Sequence, residues 1–216
     1  MAEGEETPTG GWSDQDQVSW YTMRIGKLEA RLAGEAALRD ALPAAPRSIL
    51  DLGCGDGRLG AVVLEAFPSV ARMVAADRSE PMLQLARQRF LDDDRVEVVA
   101  LDLNDPLRLN ETFDVVVSGF AIHHLHDRRK RSLFAEICQA LNSEGVFANL
   151  DVVQSSTPRR HAEFLTAIGR TADDPEDRLA TIEDQLAWMR TAQLTEVDCL
   201  WRWRGFALLV GEAPAP

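Results

Sequence analysis

Short apolar runs alternate with amphipathic stretches along most of the chain. Five runs read as strands, over residues 48–52, 73–77, 96–102, 113–118 and 146–153. Between most of them apolar positions recur every three or four residues, which predicts helices over 58–67, 81–90 and 128–141. Leu133, Phe134, Ile137 and Leu141 share one face of the last, and Pro81 suits a first helical turn. The strands are apolar almost throughout, as burial on both faces requires, and strands separated by such helices build βαβ units. The expected fold class is α/β, a doubly wound and mostly parallel sheet.

The rhythm changes at both ends. Residues 14–42 read as an N-terminal helical cap in two pieces, with Leu28, Leu32, Ala36, Leu38 and Leu42 at helical spacing before Pro43 and Pro46 stop the run. Residues 1–13 are acidic and rich in Gly, Pro and Thr. They read as a disordered tail, without the basic and apolar regions of a signal peptide. Near the other end a helix over 182–192 leads into strands 195–201 and 204–211. A parallel crossover needs about a dozen residues, so these two strands pair as an antiparallel hairpin and complete a seven-stranded sheet. Residues 154–181 interrupt the alternation with one short helix (161–168) and an Asp-rich loop. The reading is a single domain over 14–212, with 154–181 inserted on the substrate side.

Charge and cysteine usage narrow the partners. The net charge of −12 over 216 residues repels polyanions, which makes nucleic acid a disfavoured partner. The densest basic run, Arg128-Arg129-Lys130-Arg131, reads as a solvated helix start. Three cysteines (Cys54, Cys138, Cys199) without a C-x-x-C pair favour a reducing compartment over a disulfide framework. No apolar run approaches the ~18 residues of a membrane span. A cytoplasmic protein with no membrane contact is expected.

The chemistry concentrates in "DLGCGDG" at 51–57. Gly53, Gly55 and Gly57 alternate there, while residues 55–60 also spell G-x-G-x-x-G, the dinucleotide pattern. Acidic residues then recur on or just after the strands, at Asp51, Asp77, Asp102 and Asp151. Ligands of open α/β sheets bind outside the carboxyl ends of the strands, so these carboxylates are expected to ring one crevice. Asp77 is placed for a ribose diol and Asp102 for an adenine amino group. Asp51 disfavours a pyrophosphate and favours an ammonium or sulfonium. An NAD-dependent oxidoreductase remains the remote alternative. It fits poorly, because Gly53-Cys54 separates strand 1 from the fingerprint and the chain spends its later length on a hairpin.

With "AADRSEPML", "LDL" and "FDVVVSGFAIHHL", this loop resembles class I S-adenosylmethionine-dependent methyltransferases, in particular the small bacterial members acting on metabolites. The resemblance implies a Rossmann-like methyltransferase fold with an N-terminal helix as lid, S-adenosylmethionine as cofactor and S-adenosylhomocysteine as product. It implies that Gly53, Cys54, Gly55 and Gly57 pack against the methionine part and that Asp77 binds the ribose. Arg78 and Met82 would lie beside the adenine, Asp102 and Leu103 would read it, and Ser118 and Gly119 would meet the methionyl ammonium. The expected function is methyl transfer to a small-molecule acceptor. The alternatives are a tRNA or protein acceptor, or a non-catalytic cofactor-binding protein.

Catalytic candidates follow strand 4, where His123, His124 and His126 account for three of the chain's four histidines. His123 and His124 are the candidate bases. Metal ligation is not expected, because no further carboxylate or cysteine stands at ligand spacing. Tyr21 and Arg24 on the leading helix, and Arg159 and His161 in the insertion, are the candidate acceptor contacts. Trp201 and Trp203 are expected to pack inward, with Arg202 and Arg204 solvated.

Overall fold

The computed structural model describes residues 28–216. The tail and the first part of the helical cap, including Tyr21 and Arg24, lie outside the described residues. The chain runs α1 (Glu29–Ala41), β1 (Ser48–Leu52), α2 (Arg58–Ala66), β2 (Arg72–Asp77), α3 (Glu80–Arg89), β3 (Val96–Ala100) and β4 (Phe113–Gly119). A 3₁₀ turn (Ile122–His124) follows, then α4 (Asp127–Ala140), β5 (Leu141–Val152), α5 (Pro158–Ala167), α6 (Ile182–Thr191), β6 (Thr195–Trp203) and β7 (Phe206–Glu212).

The seven strands form one sheet in the order β3-β2-β1-β4-β5-β7-β6. The first five pair in parallel, and β7 runs antiparallel to both β5 and β6. Alternation along each strand fills two cores. Ile49, Met73, Val115 and Val117 face α1, α2 and α3, while Leu50, Val74, Val116 and Phe147 face α4 and α6. Each such side chain, fully buried, contributes about 1.5–3 kcal/mol. The two edge strands depart from the two-sided burial: no position of β3 is buried, and β6 buries only Val197.

Strand β5 is longer than its apolar run. Leu141 already pairs with Phe113, and a register shift separates this pair from the next, Val115–Val146. The described part of the N-terminal cap, α1, packs on the hairpin side of the sheet: a Cβ at Gly34 would stand 2.7 Å from Leu150 Cδ1. Strand order reverses between β1 and β4, and that switch point is where an open α/β sheet leaves room for a ligand.

Candidate active site

Strand β1 ends in a tight loop that runs straight into α2. Gly53, Gly55 and Gly57 adopt φ of 69°, 55° and 79°, left-handed values that side chains rarely tolerate. Gly53 is also confined, since a Cβ there would lie 2.2 Å from the Ala121 Cβ. Gly53 N and Cys54 N both donate to the Ala76 carbonyl, at 2.8 and 2.9 Å. The Asp77 carboxylate completes the tie, accepting from Gly55 N at 2.9 Å and Ser79 N at 2.8 Å. Burial raises the Asp77 pKa despite these N–H bonds, and each oxygen keeps a lone pair for a ligand hydroxyl. Gly60 serves packing: a Cβ there would stand 2.1 Å from Met73 Cε.

Asp51 lies wholly buried beneath this loop. No described donor reaches either of its carboxylate oxygens with hydrogen-bond geometry. Burial, reinforced by Asp77 and Asp56, pushes its pKa up to about 7 against the pull of the nearby Gly60 N–H.

A cavity of about 270 Å³ opens at the switch point. The glycine loop, Asp77 and Met82 form one wall, continued by Asp102 and Leu103. Asp102 belongs to the turn after β3, where it accepts from Asn104 N at 2.9 Å. The opposite wall comes from Gly119, Phe120 and Ala121 after β4, then from His124, Leu125 and His126. Glu176 and Arg178 from the insertion, and Arg31 from α1, also border it.

Behind that wall sits a buried ionic cluster. Asp151 Oδ1 lies 2.5 Å from His123 Nδ1. Asp177 Oδ1 lies 3.4 Å from His123 Nε2 and 3.5 Å from His124 Nδ1. Burial opposes a charge on His123, but Asp151 and Asp177 outweigh it and push its pKa up to about 9. Burial and the His123 charge push His124 down to about 3, so at neutral pH the first imidazole is charged and the second is not. Lys130, fully buried, donates to the Arg178 carbonyl and to Asp127 Oδ1. Burial lowers its pKa, against the pull of Asp151 and Asp127. His123 thus stands between the carboxylates of Asp151 and Asp177, and Lys130 between those of Asp151 and Asp127.

Donor atoms of His123, His124 and Asp177 all lie within 4.8 Å of one another, the spacing of a metal site. The two imidazole centroids are 3.9 Å apart. Two imidazoles on one tetrahedral ion, with bonds of about 2.0–2.1 Å, stand about 5 Å apart. The geometry is that of an ion-pair network.

A family model described as a methyltransferase domain matches residues 49–145. The cypemycin N-terminal methyltransferase of a Streptomyces species is 45% identical over 175 residues, covering 78% of this chain and 66% of that protein. This chain belongs to the class I S-adenosylmethionine-dependent methyltransferases. The demethylmenaquinone methyltransferase of Clavibacter sepedonicus is 39% identical over 95 residues, which cover 44% of this methyltransferase chain and 38% of that protein. The chain spans less than half the length of such curated relatives, 44% in the case of the malonyl-[acyl-carrier protein] O-methyltransferase of Acetivibrio thermocellus. Among solved structures, an O-methyltransferase family protein from Burkholderia thailandensis superposes with a TM-score of 0.72 at 20% identity, over 93% of this chain and 60% of its own. PigF with SAH gives 0.71 at 18% identity, over 98% and 63%. These two establish the fold.

The family's cofactor is S-adenosylmethionine, and the residues of this methyltransferase fit it. The unpartnered Asp51 carboxylate supplies the negative charge that a sulfonium or ammonium requires. At Gly55 the nearest atom to an added Cβ is Met82 Sδ, 3.9 Å away, so the loop leaves open a space that a side chain would begin to fill.

Of the cofactor positions expected from the sequence, Gly53, Cys54, Gly55, Asp77, Arg78, Met82, Asp102, Leu103 and Gly119 border the cavity. Asp51, Gly57 and Ser118 lie behind it, and Ser118 Oγ donates to the Leu52 carbonyl at 2.8 Å. The expected ring of four carboxylates is reduced to Asp77 and Asp102, since Asp51 is buried and Asp151 is engaged by His123. His124 borders the cavity, whereas His123 stands behind it. Arg159 is exposed and pairs with Glu163, and His161 meets Asp173 at 2.7 Å; neither borders the cavity. The basic run is not a solvated face. Lys130 is fully buried, and Arg129 pairs with Glu136 and donates to the Leu103 carbonyl.

Sequence reasoning missed Arg31, Glu176, Asp177 and Arg178. The Arg31 Nε donates to Glu35 at 3.0 Å and its guanidinium sits 4.9 Å from the Phe120 ring centroid. The available signal was an ion pair at i,i+4 inside an Ala/Leu-rich helix face.

Proposed function

We propose that this chain transfers the methyl group of S-adenosylmethionine to a small-molecule acceptor by in-line displacement. The observation that carries the reading is a single cavity with two unlike walls: glycine backbone and carboxylates on one side, an imidazole turn and the 154–181 insertion on the other. On the first wall Asp77 accepts from the ribose hydroxyls, while Asp102 and Leu103 meet the adenine across from Met82. Arg31 faces the amino-acid carboxylate, and Asp51 offsets positive charge from beneath the loop. When bound, the cofactor supplies a methyl group already activated on a sulfonium. The chain's own task is alignment, which accounts for about 7–11 kcal/mol of barrier in favourable cases. On the second wall neutral His124 offers the acceptor a hydrogen bond, and Phe120 and Leu125 keep water from the transfer line.

The burial of Lys130 and the pairing of Arg129 remove half of the basic run that a tRNA would need. A peptide terminal amine is the second reading, favoured by the 45% identity to the cypemycin N-terminal methyltransferase.

Calorimetric binding of S-adenosylhomocysteine tests the cofactor wall, and transfer of labelled methyl into a metabolite extract, with mass identification of the product, tests the acceptor. Absence of binding at millimolar ligand overturns the cofactor assignment. Label entering only peptide or protein overturns the small-molecule acceptor in favour of the second reading.

A further inference from the structure

Residues 174–180 of the insertion form a strap beside the cavity, and Arg178 is anchored in it through both backbone and side chain. Arg178 N donates to the His123 carbonyl at 2.9 Å, and the buried Lys130 Nζ donates to the Arg178 carbonyl. Arg178 Nη1 donates to the carbonyls of Pro175 and Asp177, each at 2.8 Å. The residue is nevertheless exposed, and it borders the cavity.

Among the described residues three arginines border the cavity. Arg31 is paired with Glu35, and Arg78 with Glu176. No described carboxylate pairs with Arg178, and no described residue accepts from its Nε or Nη2. Those two nitrogens form the side-on edge of a guanidinium, whose parallel N–H bonds match the two oxygens of a carboxylate. This chain uses the same edge elsewhere for that purpose. Through Nε and Nη2, Arg58 grips Glu35 at 2.9 and 2.8 Å, Arg72 grips Glu111 at 2.8 and 2.6 Å, and Arg95 grips Asp93 at 2.8 and 2.6 Å. At Arg178 the opposite nitrogen is fixed by the strap itself, so little rotamer freedom remains to be lost when the edge meets a ligand.

We propose that Arg178 is a specificity-determining residue that receives a carboxylate of the acceptor, so that the substrate class is a small organic acid. The proposal rests on the small-molecule methyltransferase reading of the cavity. A carboxylate brings one charge and fills both N–H bonds of the edge. A phosphate monoester brings about 1.5–2 charges at neutral pH, and against it stand one uncommitted guanidinium and the neighbouring carboxylates of Asp77, Asp102 and Glu176. The monoanion is the better match.

The test uses the full chain with labelled S-adenosylmethionine and a metabolite extract divided on an anion-exchange resin at neutral pH. The acceptor is expected in the retained fraction, where it survives phosphatase treatment but not amidation of its carboxylates. With the acceptor so enriched, Arg178→Gln is expected to raise its KM about tenfold or more while kcat changes less than about threefold. Arg178→Lys, which keeps the charge without the fork, is expected to restore only part of that loss. Calorimetric affinity for S-adenosylhomocysteine is expected to stay within about twofold in both variants. An acceptor found only in the unretained fraction, one destroyed by phosphatase, or one that survives amidation overturns the proposal, and none of these results depends on a variant that folds. So does an unchanged KM in Arg178→Gln. S-adenosylhomocysteine bound about tenfold more weakly by that variant also overturns it, because Arg178 then serves the carboxylate of the cofactor. Failure of the wild type to bind S-adenosylhomocysteine, or absence of label in both fractions, overturns the functional reading instead.

Discussion

Asp51→Asn is the sharpest test of how the fold treats its own cofactor loop. The carboxylate is fully buried without a described donor, and its pKa stands at about 7 against an ordinary 3.8. The folded chain therefore holds a proton that the unfolded chain releases across that interval, so stability falls as pH rises from about 4 to about 7 and then levels. Three pKa units at about 1.36 kcal/mol each give a loss of about 4 kcal/mol at pH 8 relative to pH 4. Asn retains the shape and the polar burial but does not titrate, so its own cost is the same at every pH. Urea unfolding of both proteins without ligand, across the acid-to-alkaline range, isolates the effect. The difference in stability, variant minus wild type, is expected to rise by about 4 kcal/mol between pH 4 and pH 8. A difference that stays flat refutes the reasoning. The ligand side has the opposite sign: the ionised carboxylate favours an ammonium, so wild-type affinity for S-adenosylhomocysteine rises with pH through 7 and that of Asp51→Asn does not.

Three further changes probe the walls separately. Gly53→Ala places a Cβ 2.2 Å from that of Ala121 at a φ of 69° and is expected to cost about 2–4 kcal/mol in urea unfolding; an unchanged midpoint contradicts the close approach. Asp77→Ala removes the acceptor of the Gly55 and Ser79 N–H groups. Calorimetry is expected to show S-adenosylhomocysteine bound at least about tenfold more weakly, and unaltered affinity removes Asp77 from the ribose site. Lys130→Met keeps the volume but removes the buried cation beside Asp151 and Asp127, leaving His123 opposite Asp151. A loss of about 1–3 kcal/mol is expected by thermal or urea unfolding, and a more stable variant shows that the network costs more than it returns.

The parts of this molecule that were legible in the sequence are those whose cause is local. Strands buried on both faces are written as unbroken apolar runs, and the hairpin follows from a connection too short to cross over. The glycine loop is legible because three left-handed residues leave a compositional mark. Lys130 could also have been placed, since it precedes Leu133, Phe134 and Ile137 at helical spacing and so belongs to their buried stripe. Its neighbours in a charged run hid that periodicity. Asp77 and Asp151 were indistinguishable in sequence because both stand near strand ends. What separates them is that His123 arrives beside one of them from the turn after β4.

The two walls differ in the same way, and the difference bears on how the family changes acceptor. The proposed cofactor wall is built from residues at and just after the ends of β1, β2 and β3. The opposite wall is assembled from the turn after β4 and the strap between β5 and α6, segments far apart in sequence and joined by a backbone bond from Arg178 N to the His123 carbonyl and by Asp177 beside two imidazoles. Substitutions in the strap alter what meets the methyl group without disturbing the glycine loop or Asp77, because the only described hydrogen bond from the strap to the proposed cofactor wall is the half-exposed Arg78–Glu176 pair. A scaffold divided in this manner keeps its donor and exchanges its acceptor.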